Sequence, residues 1–248
     1  MTALAVQGVS WRIGAVPIVD DVTLHLAPDE FIAVIGPNGA GKTSLFNLIS
    51  GLRRPSAGTV TLAGEDVTGL PVHRRARRGL GRTFQSSAVF GSLTVTENVA
   101  LAVQARRGGA MRCLRRRSDR SVTERAAGIL AEVRLEDRAD RSAGDLAHGE
   151  KRKLEIALLL AAEPSVLLLD EPMAGVSLEE VPALTEVIRG LTAGTGRSVL
   201  MVEHHMDAVL DLADRVAVLH HGALLACDSP DAVMADPFVQ KAYLGENL

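Results

Sequence analysis

Val22–Thr23–Leu24–His25–Leu26 alternates apolar and polar side chains, the period of a strand with one buried face. Thr59 to Leu62 repeats the pattern after Pro55 and Gly58, so the first 65 residues read as strands and turns. Among them, Phe31 to Ile35 is continuously apolar and ends in a glycine-rich turn, Gly36 to Gly41. A helix is predicted from about Lys42 through Leu45, Phe46, Leu48 and Ile49, stopping at Gly51. From Thr94 to about Leu160 the pattern is helical throughout, with Thr94-Val-Thr-Glu97 as a capping box and a further helix over Ser121 to Leu135. Val166–Leu169, Ser198–Val202 and Arg215–Leu219 are short apolar runs of the kind buried in parallel sheets. The order β-rich, then helical, then α/β predicts a helical segment, about Ser86 to Ala161, inserted within one α/β core.

The glycine turn carries chemistry. Gly36-Pro37-Asn38-Gly39-Ala40-Gly41-Lys42-Thr43, followed by Ser44, satisfies G-x-x-x-x-G-K-[ST] between a strand and a helix. Glycines let successive backbone N–H groups converge on phosphate oxygens, and the helix N-terminus adds its partial positive charge. Lys42 is placed for the β- and γ-phosphates of a nucleotide and Thr43 Oγ for Mg²⁺.

A second nucleotide motif is Val166-Leu-Leu-Leu-Asp170-Glu171. Its apolar run puts Asp170 at the carboxyl end of a core strand, where open α/β sheets bind ligands. Asp170 then serves the metal, leaving Glu171 to orient or deprotonate the attacking water.

These two motifs occur in many P-loop ATPases; Leu146-Ala147-His148-Gly149-Glu150 narrows the choice. It resembles the signature motif of ABC ATPases, most often Leu-Ser-Gly-Gly-Gln, and stands some 20 residues before the strand carrying Asp170. Physically it is a turn feeding a second helix N-terminus, a second anion site on one chain. The resemblance implies a P-loop (RecA-like) α/β core with an antiparallel β subdomain and an inserted helical subdomain. It also implies an ATP sandwich in which the signature of one subunit closes over nucleotide held by the other. Ala147 lacks the usual hydroxyl and His148 replaces a glycine.

The resemblance is near full length. It assigns Gln85, in Arg82-Thr-Phe-Gln85, to sensing Mg²⁺ and the membrane partner, and His204 to the γ-phosphate as the switch histidine. His205 stands where that family usually has Asp and is taken as a bystander. Met173 to Ser177 matches the dimer-contact loop, with Ser177 replacing the usual Asp or Asn. The aromatic that stacks on adenine is replaced by Ile13; Trp11, two residues earlier, is a substitute or a core residue. Finer details, among them Leu45-Phe-Asn-Leu-Ile-Ser-Gly51 and the ending Asp236-Pro to Glu246, resemble ATPases of branched-chain amino-acid, urea and amide uptake. That branch implies permease subunits, a second ATPase subunit and, indirectly, a periplasmic or extracellular solute-binding protein.

Composition sets limits on partners. Net charge is −3 and aromatics are 3% of the chain, which argues against a base-stacking nucleic-acid platform. Arg74, Arg75, Arg77 and Arg78 form one basic cluster, and Arg106, Arg107, Arg112, Arg115, Arg116 and Arg117 another. A solvated face, or a rim near anionic lipid headgroups, accounts for these better than nucleic acid. The competing reading, an ABC ATPase of DNA repair or translation, calls for two ATPase modules, long coiled coils or zinc inserts, and the sequence has none. Cys113 and Cys227 fit no metal or redox spacing. Without a signal peptide or a bilayer-length apolar run, a cytoplasmic location is expected, and the resemblance implies the cytoplasmic face of a bacterial inner membrane, reached through a permease.

Overall fold

Leu4–Ile13 (β1) and Val16–Leu26 (β2) pair antiparallel, and Val22, Leu24 and Leu26 bury the face that the alternation marks. The computed structural model describes residues 2–83, 89–106 and 120–244. The elements that follow in the chain are Phe31–Ile35 (β3), Lys42–Ser50 (α1), Ala57–Leu62 (β4), Glu65–Asp66 (β5), Val72–Ala76 (α2) and Leu80–Arg82 (β6). Then come Val95–Arg106 (α3), Arg120–Glu132 (α4), His148–Leu160 (α5), Val166–Asp170 (β7), Val181–Arg189 (α6) and Ser198–Val202 (β8). The chain continues through Met206–Leu212 (α7), Arg215–His220 (β9), Ala223–Asp228 (β10), Pro230–Ala235 (α8) and Pro237–Leu244 (α9).

The chain divides into two compact units. The first, residues 1–82, 165–171 and 191–248, holds both sheets. One sheet has the order β10-β9-β3-β8-β7-β6, parallel except for β10; the other is antiparallel with the order β2-β1-β4-β5. Strands β3, β7 and β8 are buried along their whole length, as continuous apolar runs in parallel sheets require. Val6, Val22 and Val60 of the small sheet meet Phe46 and Ile49 of α1 and Val34 and Leu168 of the large one in a single core.

Helix α1 stops where Gly51 takes a left-handed φ of 82° and its N–H donates to Leu48 O. The carbonyls of this helix end take a further, unexpected partner. Arg75 is 1% exposed and donates from Nη1 to Leu48 O and Ile49 O at 2.8 and 2.6 Å, from Nη2 to Thr68 O at 2.8 Å, and from Nε to Leu70 O at 3.0 Å. The expectation that the 74–78 arginines form a solvated face fails at Arg75. Its five-donor fork fits four carbonyls that water would otherwise have to reach. Burial pulls its guanidinium down to about 10, against the opposing pull of Asp66. Arg74, Arg77 and Arg78 are exposed, and Arg78 pairs with Glu65.

The second unit, residues 83–164 and 172–190, is helical among its described residues. Helices α3, α4 and α5 pack together and α6 packs on α5. The capping box that opens α3 is reciprocal: Glu97 N donates to Thr94 Oγ1 at 3.1 Å and Thr94 N to Glu97 Oε2 at 3.0 Å. Asn98, 2% exposed, accepts from Phe90 N and donates to Phe90 O and Thr94 O, fastening the approach to that helix. The expectation of helix throughout 94–160 is too simple. Helix α4 ends at Glu132, short of Leu135, because Arg134 turns left-handed at φ 55°. Residues 133–147 are a connection containing two single 3₁₀ turns.

Candidate nucleotide site

The loop between β3 and α1 is shaped by its glycines. A Cβ on Gly36 would stand 2.2 Å from Leu219 O, whereas one on Gly39, at φ 82°, would meet nothing within 4 Å. The loop is therefore pressed onto the sheet at one end and open at its crest. Ala40 O accepts from Gly222 N at 3.0 Å, tying the loop to the turn after β9. At α1, no side chain caps the N-terminus and no acidic residue sits in its first turn, so its amides keep their attraction for an external anion.

Lys42 is 7% exposed and donates from Nζ to Gly36 O at 2.6 Å and Pro37 O at 3.0 Å. Burial holds its ammonium below the usual lysine range, and the charge of Glu171 opposes that shift. A buried cation held by two carbonyls has much to gain from a phosphate.

Asp170 ends β7, 5% exposed, and its Oδ2 accepts from Arg82 Nη2 at 2.8 Å. The next residue, Glu171, leaves the strand at φ 48°, while its N–H still donates to Val202 O at 2.9 Å. That left-handed turn separates the two adjacent carboxylates. Glu171 Oε1 lies 3.1 Å from His204 Nε2, so the strand ends of β7 and β8 bring this predicted pair together. Glu203, 2% exposed, accepts at Oε2 from His204 N at 2.6 Å and His205 N at 3.2 Å, and its Oε2 lies 3.2 Å from His205 Nδ1. His205 is thus part of the turn that presents His204.

Trp11 and Ile13 differ in surroundings. Trp11 packs partly against the core with the Arg53 guanidinium 5.6 Å from its ring centroid, while Ile13 is 58% exposed opposite Val16.

In the second unit, α5 begins at His148 with Ala147 as its N-cap. Ala147 has no side-chain acceptor, so only half a capping box forms: Glu150 Oε2 accepts from Ala147 N at 3.1 Å. Burial pushes the Glu150 carboxyl up, but bonds from Arg138 and Ala147 N outweigh it and leave it below the usual range. Gly149 is buried, and a Cβ there would stand 2.8 Å from Glu180 Oε1. Ser177 Oγ donates to Glu180 Oε2 at 3.0 Å, so the loop containing Ser177 is anchored beside the start of α5. Leu146 is buried as the last residue before that N-cap. Gln85 lies outside the described residues.

Residues 19–174 match the family described as ABC transporter. The chain belongs to the ABC transporter family. It is 40% identical over 98% of both chains to a high-affinity branched-chain amino acid transport ATP-binding protein, BraF of Pseudomonas aeruginosa. To LivG of Escherichia coli K12, which carries the same description, it is 39% identical over 98% of both chains. To LptB of Haemophilus influenzae, a lipopolysaccharide export system ATP-binding protein, it is 34% identical over 100% of this chain and 99% of that one. Among solved structures it is similar to an ABC transporter ATP-binding cassette in its ADP conformation, with TM-score 0.87, 28% identity and coverage of 99% and 100%. A nucleotide-free cassette gives TM-score 0.86 at 27% identity, covering 99% of this chain and 100% of that one.

The P-loop α/β fold expected from the sequence is therefore that of an ABC cassette, and the chain is a transporter ATPase rather than one of DNA repair. The open loop crest and Lys42 suit the ATP that such cassettes bind. Sequence reasoning missed Arg82 and Arg75. Arg82 was visible only as a residue next to a motif, and Arg75 was hidden within a run of arginines. No described helix is long and apolar enough to cross a membrane.

Proposed function

We propose that this ABC ATPase drives import of branched-chain or related amino acids, docked beneath permease subunits at the cytoplasmic face of a bacterial membrane. The observation that carries the reading is identity of 39–40% across 98% of the chain with two subunits of amino-acid transport. The amides of Gly39 to Ser44 and the Lys42 ammonium hold the triphosphate, with Ile13 or Trp11 against the adenine. Thr43 Oγ and the Asp170 carboxylate, with Gln85, are hard oxygen donors suited to Mg²⁺. Among the described residues there is no group of three or more His, Cys, Asp or Glu that could hold a metal. That fits a cation taken mainly by substrate phosphates and water.

When bound, Mg²⁺ neutralises charge on the β- and γ-phosphates. Glu171 accepts a proton from the attacking water, and His204, 3.1 Å from it, keeps the base in place and faces the γ-phosphate. Leu146 to Glu150 serve the nucleotide of a second ATPase subunit, identical or not, across a dimer. The described residues between 86 and 161 belong to the helical subdomain, and cargo arrives on a solute-binding protein. No nucleic acid is expected to take part: Arg75 is buried, and Arg78 and Arg106 pair with Glu65 and Glu163, leaving Arg74 and Arg77 as the other exposed members of the described part of the clusters.

The test is purification of the tagged chain with its partners from native membranes, followed by reconstitution in vesicles. Amino-acid permease subunits should co-purify, and leucine uptake should require ATP and fail with Lys42→Ala. Co-purification with a lipopolysaccharide-handling complex, or ATP-independent uptake, would count against the reading.

A further inference from the structure

Arg82 sits on β6, in register with Leu168 of β7, the strand that ends in Asp170. Its guanidinium reaches in two directions at once. Nη2 donates to Asp170 Oδ2 at 2.8 Å, while Nη1 donates to Asn47 Oδ1 at 2.8 Å and Ser50 Oγ at 2.9 Å, both on α1. The pair is nearly dry, with side-chain exposures of 8% and 2%, and the Phe46 ring centroid lies 5.7 Å from the guanidinium carbon. Asn47 and Ser50 stand four and seven residues after Thr43, the spacing of one helix face. The face of α1 that begins with Thr43 is thus the face Arg82 grips, and the other end of the same rigid plane holds Asp170.

Desolvating an ion pair rarely favours stability over a well-packed apolar pair of equal volume. Holding two elements at a fixed distance and angle is what a planar, multiply bonded guanidinium does and an apolar contact does not. We propose that Arg82 is a positioning residue that sets Thr43 and Asp170 at the separation one divalent cation requires. The proposal rests on the reading that those two residues hold Mg²⁺. Outer-sphere partners of this kind typically change metal affinity by about 10–100-fold when removed.

The test compares Asn47→Ala/Ser50→Ala, Arg82→Lys, Arg82→Met and Asp170→Asn with the native chain. Three quantities are measured: the dissociation constant of Mn²⁺ from the nucleotide complex by electron paramagnetic resonance, nucleotide affinity in EDTA, and the thermal midpoint without nucleotide or metal. The double alanine variant keeps the Arg82–Asp170 pair and leaves no buried carboxylate uncompensated, so it stays informative if Arg82→Met fails to fold. It should weaken Mn²⁺ binding by about tenfold, leaving nucleotide affinity in EDTA unchanged. Arg82→Lys should behave likewise, since a point charge compensates Asp170 without spanning to α1.

Native Mn²⁺ affinity in both variants, together with weakened affinity in Asp170→Asn, would overturn the positioning role and leave the metal reading standing. Native Mn²⁺ affinity in Asp170→Asn would overturn the metal reading and the proposal with it. A loss of Mn²⁺ affinity matched by an equal loss of metal-free nucleotide binding would mark Arg82 as merely structural, against the proposal.

Discussion

Helix α1 begins behind Gly36, Gly39 and Gly41 with no acidic residue in its first turn. Helix α5 begins behind Ala147 with Glu150 in its first turn and Glu180 against Gly149. Both N-termini carry the same partial positive charge, yet they meet opposite local fields. At α1 the charge within the first turn is Lys42, with Glu171 acting on it from the end of β7, and the loop crest is open. At α5 Glu150 is held in its charged form by Arg138, and a second carboxylate lies close by. One end is a finished anion site within the chain. The other already has its dipole answered by carboxylates, with which any phosphate brought there would have to compete.

The comparison breaks most easily at α1. Lys42→Ala removes the one cation of the loop, and ATP affinity should fall by about 100-fold, the worth of a charge-assisted hydrogen bond to phosphate. Equilibrium binding of a fluorescent ATP analogue reads it, and native affinity would show that the helix end and amides suffice.

Glu171→Gln should separate binding from chemistry. Hydrolysis should drop by roughly 10²–10⁴-fold while ATP still binds, since an amide of the same reach accepts no proton. ATP then persists, and a dimer should accumulate in size-exclusion chromatography when MgATP and the cognate ATPase subunit are supplied. Native turnover would move the role of base to His204.

At α5 a third carboxylate sharpens the contrast. Gly149→Asp also drives a Cβ to 2.8 Å from Glu180 Oε1, so Glu180 must move. Nucleotide binding by the isolated chain should stay native, while hydrolysis in the assembled transporter should fall at least about tenfold, as one like-charge contact is worth a few kcal/mol. Loss of binding in the isolated chain would mean either misfolding or that α5 serves its own nucleotide.

The smallest effect is expected at α3, which is capped in the ordinary way by Thr94. Thr94→Ala should cost about 1 kcal/mol in denaturant unfolding and leave ATP affinity untouched. A change in affinity would show that helix capping and nucleotide binding are coupled across the chain.

Periodicity and motif spacing carried much of this structure. The alternation of Val22 to Leu26, the apolar runs of β3, β7 and β8, and the Gly51 stop of α1 are local matters, and each lies where the pattern puts it. Lys42, Asp170 and Glu171 stand at the loop and the strand end where motif spacing puts them, whereas His204 was singled out by the family resemblance alone. What escaped depends on distant partners. Nothing near Arg75 in sequence reveals that Leu48, Ile49, Thr68 and Leu70 turn their carbonyls toward it. Arg82 acquires meaning only when Asn47, Ser50 and Asp170 converge on it. The connection from 133 to 147 was read as helix because its apolar residues keep a helical spacing while Arg134 breaks the backbone.

The left-handed backbone of Glu171 sets stability and activity against each other at one position. At φ 48° a residue with a Cβ carries about 1–2 kcal/mol of conformational strain that glycine would not. Glu171→Gly should therefore be at least as resistant to heat as the native chain, while losing hydrolysis. A screen that rewards only solubility or thermal survival would tend to accept glycine here, and the enriched variants would no longer work as motors. On the proposed reading, the chemistry of this position and the conformational preference of the fold pull in opposite directions.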